Sequence, residues 1–145
     1  MLQLVGRFLT AVLVTYVLAS LFHTYFVLNG LEDVGTEITL STRVTTSISD
    51  IFGLFAYAGI IAAGLLIGFS VMGLIRKFYK LLPRWVYPLA GLLTMICIHL
   101  AMFPIFEVTL IAGARSTLGF AAQCVAGIIG GWVFAPKASK DTMFS

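Results

Sequence analysis

Four long stretches of this chain carry almost no charge, and that pattern limits the fold more than any motif in it. A bilayer core about 30 Å thick takes roughly 20 predominantly apolar residues of helix to cross. Runs at about 4–28, 51–75, 85–106 and 117–135 are each long enough, and Arg7 is their only Asp, Glu, Lys or Arg. With every backbone polar group needing a partner inside the bilayer, apolar runs of this length read as helices. The expectation is an all-α polytopic membrane protein: one domain over residues 1–145, folded as an antiparallel four-helix transmembrane bundle. Hydrophobic residues make up 60% and charged residues 10% of the chain. An ordinary soluble domain is about a quarter charged, so that class is excluded.

A secretory signal peptide would show a shorter apolar core of about 7–15 residues and a small-residue cleavage site. Here the apolar run continues past Leu18–Ala19–Ser20, so the first run reads as an uncleaved span. Residues 29–50 then form an outer loop. Asn29–Gly30 should close the first helix, and Gly35 should end the acidic patch. Further on, Leu40, Val44 and Ile48 recur at four-residue spacing, which predicts a short amphipathic helix at the membrane interface leading into the second span. A β-hairpin is the alternative there, because Thr and Val are frequent.

The basic residues stand at the ends of the apolar runs. Arg76, Lys77, Lys80 and Arg84 fill the loop 76–84, Lys137 and Lys140 lie in the tail, and Arg7 is near the amino terminus. The other side holds only Arg43 and Arg115. By the positive-inside rule both termini and the basic loop face the cytoplasm, and the same loop can meet anionic lipid headgroups. Trp85, Tyr87 and Trp132 fall at a common level, as an aromatic belt does. Basic residues placed this way do not form a solvated nucleic-acid surface. Cys97 and Cys124 both lie inside apolar runs without CxxC or ligand spacing, so neither a disulfide framework nor a metal site is expected.

Small-residue ridges are the most specific packing signal, because helices in lipid associate through close backbone approach. Gly64 and Gly68 form one ridge on the second span; Gly127 and Gly131, extended by Gly119 and Gln123, form another on the fourth, with Gly130 beside it. These ridges either serve the intramolecular packing of spans two and four, or one of them faces outward and binds another copy or another subunit. The two histidines, His23 and His99, sit in the outer half of spans one and three. Intramembrane ionisable groups point to function, and this pair could ligate haem b, but an interfacial position for His23 and a carbonyl hydrogen bond for His99 are the plainer readings. Thr94, His99 and Gln123, with Glu107 and Arg115 at the outer mouth, are the residues that would line a polar path. No nucleophile, base and orienter occur in a catalytic pattern.

The segments Tyr16–Ser20 (YVLAS), Ile111–Arg115 (IAGAR) and Gly130–Phe134 (GGWVF), in a four-span layout, resemble a group of small uncharacterised inner-membrane proteins of proteobacteria. The resemblance covers most of the chain and implies a multi-pass protein of the bacterial inner membrane; it implies no activity. The functional expectation is therefore a non-enzymatic accessory or scaffold subunit without a cofactor. Its partners would be the lipid bilayer and either another membrane protein or further copies of itself, but not nucleic acid. A small homo-oligomeric channel or transporter is the alternative, and a haem b electron-transfer subunit a further one.

Overall fold

The computed structural model describes residues 2–79, 81–106 and 116–136, with side chains left out for 103–106. Among the described residues it is all-α, with five helices: α1 (Leu2–Asp33), α2 (Leu40–Gly53), α3 (Phe55–Phe78), α4 (Val86–Phe106) and α5 (Thr117–Phe134). Helices α1, α3 and α5 are long and apolar enough to cross a membrane, and α4 is apolar from Val86 to Met102. The segment 40–53 is helix rather than hairpin. Thr39 caps it by accepting the Thr42 N–H at 3.3 Å, and Ser116 caps α5 by accepting the Gly119 N–H at 3.0 Å. Such caps satisfy amide groups that the first helical turn leaves without partners.

Two expected boundaries move. Asn29–Gly30 does not end α1; the helix continues to Asp33, and Gly35 stops it at φ +90°, with its N–H on the Glu32 carbonyl and the Thr36 N–H on that of Leu31. The reason is tertiary. Asn29 and Glu32 both accept from Arg43 of α2, at 3.1 Å and 2.6 Å, so the extra turn of α1 has a partner to hold. The second boundary is at Leu54, where the backbone leaves helical geometry and separates α2 from α3; Ile51–Gly53 therefore belong to α2.

Helix α2 turns its polar side to α1. Besides the Arg43 contacts, Thr24 donates to Asp50 at 2.6 Å and the Tyr16 hydroxyl donates to the Ile51 carbonyl. Its apolar stripe faces outward, with Leu40 and Phe52 each more than three-quarters exposed and Val44 and Ile48 about half. At 1.5 Å rise per residue, the 32 residues of α1 extend about 48 Å, well past a 30 Å hydrocarbon core. Its far end and α2 form a hairpin held by side-chain hydrogen bonds. The two clips on that hairpin should differ in weight. Arg43–Glu32 is partly exposed, so Arg43→Ala should cost under about 0.5 kcal/mol. Thr24 is 1% exposed, and Thr24→Val, which leaves the Asp50 carboxylate short of a donor, should cost about 1–3 kcal/mol. Amide exchange over α2 checks this: it should accelerate markedly in Thr24→Val and little in Arg43→Ala.

The rest of the core is built around α4 and α5. Helix α5 packs against α4 and α1, and α4 packs against α5 and α3. Ile61, Leu65 and Met95 are completely buried, and the Phe69 and Phe134 rings stack at 4.3 Å.

Candidate functional site

Both predicted glycine ridges are in contact with α4. A Cβ on Gly127 would collide with the Gly91 carbonyl and the Met95 side chain, and one on Gly131 with the Tyr87 carbonyl. Here α4 and α5 touch backbone to backbone. On α3, a Cβ at Gly64 would stand 2.8 Å from Ile98 Cδ1 and 3.0 Å from Thr94 Cγ2, and Gly68 lies under the Thr94 hydroxyl. Both ridges thus pack within the chain, each against α4. The physical reason lies in Gly91, an isolated glycine that forms no sequence ridge yet supplies the facing hollow for Gly127. Gly130, beside this ridge, packs on Ala11 and Thr15 of α1. Gly119 is buried in the first turn of α5, where its N–H takes the Ser116 cap.

A chain of hydrogen bonds crosses the middle of the bundle and joins α1, α3, α4 and α5. Tyr57 of α3 brings its hydroxyl to 3.2 Å from Gln123 Oε1 of α5 and 3.4 Å from His99 Nε2 of α4. Gln123 Nε2 donates to the Ala19 carbonyl of α1 at 2.9 Å, and His99 Nδ1 stands 2.8 Å from the Met95 carbonyl. Gln123 is fully buried, and Tyr57 and His99 nearly so. Phe120 closes the other side of the imidazole edge to face, at 5.7 Å between ring centroids.

The proton count in this chain follows from its ends. The Met95 oxygen can only accept, so His99 Nδ1 carries a hydrogen; in the neutral ring Nε2 is then an acceptor. The Ala19 oxygen likewise turns the Gln123 amide so that Oε1 faces Tyr57. The Tyr57 hydroxyl therefore has one proton and two acceptors. Close by on α1, the buried Ser20 hydroxyl has no hydrogen-bond partner among the described residues. The Tyr57–His99–Gln123 chain is thus one donor short, two acceptors facing a single hydroxyl proton. Its arrangement can fix the relative rotation of four helices, since each member has only one productive orientation.

Of the residues read as a polar path, the structure brings together His99 and Gln123, through Tyr57. Thr94, 7% exposed, packs instead over Gly64 and Gly68, while Glu107 and Arg115 lie outside the described residues. Tyr57 itself was missed. Its signal was a hydroxyl-bearing ring inside an otherwise apolar run, at a depth comparable to His99 and Gln123. For haem, axial ligation by His99 through Nε2 would need Tyr57 displaced, and the space beside the ring is filled by Phe120. His23 is half-buried on α1, next to the Thr24 that holds Asp50. No cluster of three or more His, Cys, Asp or Glu side chains occurs among the described residues.

Four of the described basic residues, Arg7, Arg76, Lys77 and Arg84, stand at the start of α1, the end of α3 and the loop before α4, near the end of α5. Arg7 donates to the Phe134 carbonyl and lies over the Phe134 ring at 5.7 Å. Arg76 donates to the Leu82 carbonyl at 3.3 Å and lies over the Tyr87 ring at 5.4 Å. Lys77 and Arg84 are exposed, and Lys80 lies outside the described residues.

Fold and site together define a small helical protein with the apolar helices of a membrane protein and a buried polar seam. No family model, no curated protein and no solved structure matches the chain.

Proposed function

We propose that the chain is a four-span, antiparallel bundle of a bacterial inner membrane, as the resemblance to small proteobacterial inner-membrane proteins implies, with both termini and the basic loop cytoplasmic, and that it works as a non-enzymatic accessory subunit. The observation that carries this reading is the inequality of the two glycine ridges. Gly127 and Gly131 are buried against the α4 backbone, whereas Gly64 and Gly68 are half-buried beside an open groove between α3 and α4. Exposed Ala63, Cys97 and Ala101 line that groove, and exposed Gly59 stands a turn from Ala63 with nothing within 4 Å of its would-be Cβ. A surface of small residues lets a second backbone approach closely, where a longer side chain would hold it off. The occupant is a transmembrane helix of a larger partner protein. Acidic residues at one end of the bundle and basic residues at the other support the span count and orientation.

Gly59→Leu and Ala63→Leu fill this outer face without entering the fold. Each should cut co-purification with the partner by about tenfold, equivalent to about 1.4 kcal/mol, while leaving the isolated protein folded and no less stable. Native mass spectrometry of gently extracted membranes checks this. A stoichiometric complex that survives both substitutions would overturn the groove as the contact, and a fixed homo-oligomer would make a second copy the occupant.

A second reading, a channel or transporter, draws on the Tyr57–His99–Gln123 chain. It predicts that flux in proteoliposomes, if present, falls in Gln123→Leu.

A further inference from the structure

Between α1 and α3, at the basic end of the bundle, an apolar cleft of about 340 Å³ opens on the outer surface. Leu4, Val5 and Phe8 form one wall, and Leu66, Phe69 and Ser70 the other. Its volume lies within the range of ligand sites, and its lining suits a hydrocarbon chain. The Tyr87 and Phe134 rings, edge to face at 5.2 Å between centroids, also line it. These are the two rings on which Arg76 and Arg7 lie, so two half-buried guanidiniums flank the rings that close the cleft.

Neither arginine has a carboxylate partner among the described residues. The ion pair Arg43–Glu32, in the α1–α2 hairpin, is the one ion pair among the described residues. Arg7 and Arg76 each make one bond to a main-chain carbonyl, and among the described residues their remaining N–H donors have no further hydrogen bond. Half-buried guanidiniums without an anion, fixed by cation–π contact, are arranged for a planar, multidentate acceptor such as phosphate.

We propose that this cleft is a binding site for an anionic phospholipid, with one acyl chain between α1 and α3 and the phosphate held by Arg7 and Arg76. The site rests on the membrane-spanning reading but not on the partner groove, which lies on another face. It also separates Arg76 from its loop neighbours: Lys77 and Arg84 meet headgroups diffusely, whereas Arg76 and Arg7 hold one molecule.

The test is native mass spectrometry of the full chain released from nanodiscs of equal phosphatidylglycerol and phosphatidylcholine. The wild type should retain about one phosphatidylglycerol per copy and no comparable phosphatidylcholine. The double variant Arg7→Gln/Arg76→Gln should lose about tenfold of that retention, equivalent to about 1.4 kcal/mol. Ser70→Phe, which occupies the cleft and leaves both arginines in place, should lose it as well. Loss in Ser70→Phe keeps the proposal falsifiable should the arginine variant misfold. Glycerol phosphate, which has the headgroup chemistry without chains, should not displace the lipid. Equal retention of both lipids, undiminished retention in Ser70→Phe, or displacement by glycerol phosphate would each overturn the site. Failure to enter nanodiscs at all would instead overturn the membrane reading on which it stands.

Discussion

Gly127→Leu should severely destabilise the folded bundle, while Gly59→Leu should leave it intact. Both replace a helical glycine in an apolar run, so propensity and hydrophobicity alone give them the same sign: leucine favours helix over glycine by up to about 1 kcal/mol. What separates them is the space outside the helix. At Gly59 nothing stands within 4 Å of an added Cβ. At Gly127 the first added carbon already overlaps the Gly91 carbonyl, and that carbonyl belongs to helical backbone that cannot rotate aside. The helices must separate, and the Gly131 contact with Tyr87 opens with them. Overpacking a core typically costs about 1–3 kcal/mol when side chains can adjust. Here no side chain can absorb the overlap, so a loss beyond about 3 kcal/mol is expected, a large part of a typical domain's stability. Reversible unfolding in mixed micelles, followed by the fluorescence of Trp85 and Trp132, would show a strong shift for Gly127→Leu. Gly127→Ala should already shift the same way. An unchanged midpoint for Gly127→Ala would mean that α4 and α5 do not touch at Gly91.

How far this arrangement was legible in the sequence depends on the range of the interaction. The α2 helix was readable because Leu40, Val44 and Ile48 repeat at the helical period. That it faces α1 with its polar side was not, since this depends on Thr24, Tyr16 and Asn29, which look unremarkable in an apolar helix. The same contrast holds for the glycines. Two ridges were evident as small-x-x-x-small spacing, but their partner was not, because α4 contributes a single glycine at the right height. Gly30 looked like a helix terminus on local grounds, and only the reach of Arg43 back to Glu32 explains why α1 continues. His99 and Gln123 were visible as polar residues in apolar runs. Their meeting through Tyr57 was not, as the pair of bonds spans 42 and 66 residues of chain.

That meeting leads to an expected result that runs against a plain count of hydrogen bonds. Gln123 makes two bonds across helices and is fully buried, so its loss would ordinarily be ranked the more damaging. Yet the Ala19 carbonyl lies inside α1 and keeps its own helical N–H when Gln123 is replaced. The Tyr57 hydroxyl, freed of one acceptor, can give its proton wholly to His99 Nε2. Gln123→Met, close in volume, therefore strands no polar atom and should cost under about 1 kcal/mol, in line with the modest worth of side-chain hydrogen bonds between membrane helices. Tyr57→Phe removes the one proton that reaches either acceptor from the described residues. It leaves Gln123 Oε1 and His99 Nε2 both buried without a donor, at a cost of about 1–3 kcal/mol. In Tyr57→Phe/Gln123→Met only one acceptor is stranded, so the second substitution should recover part of the loss caused by the first. Unfolding midpoints of the three variants test this ordering directly, and nitrogen-15 shifts of His99 should show the hydrogen on Nδ1 in the wild type. If Gln123→Met proves more damaging than Tyr57→Phe, or if the hydrogen resides on Nε2, the donor shortage is wrong. Tyr57 would then be a donor to Gln123 alone, accepting its second bond from the imidazole.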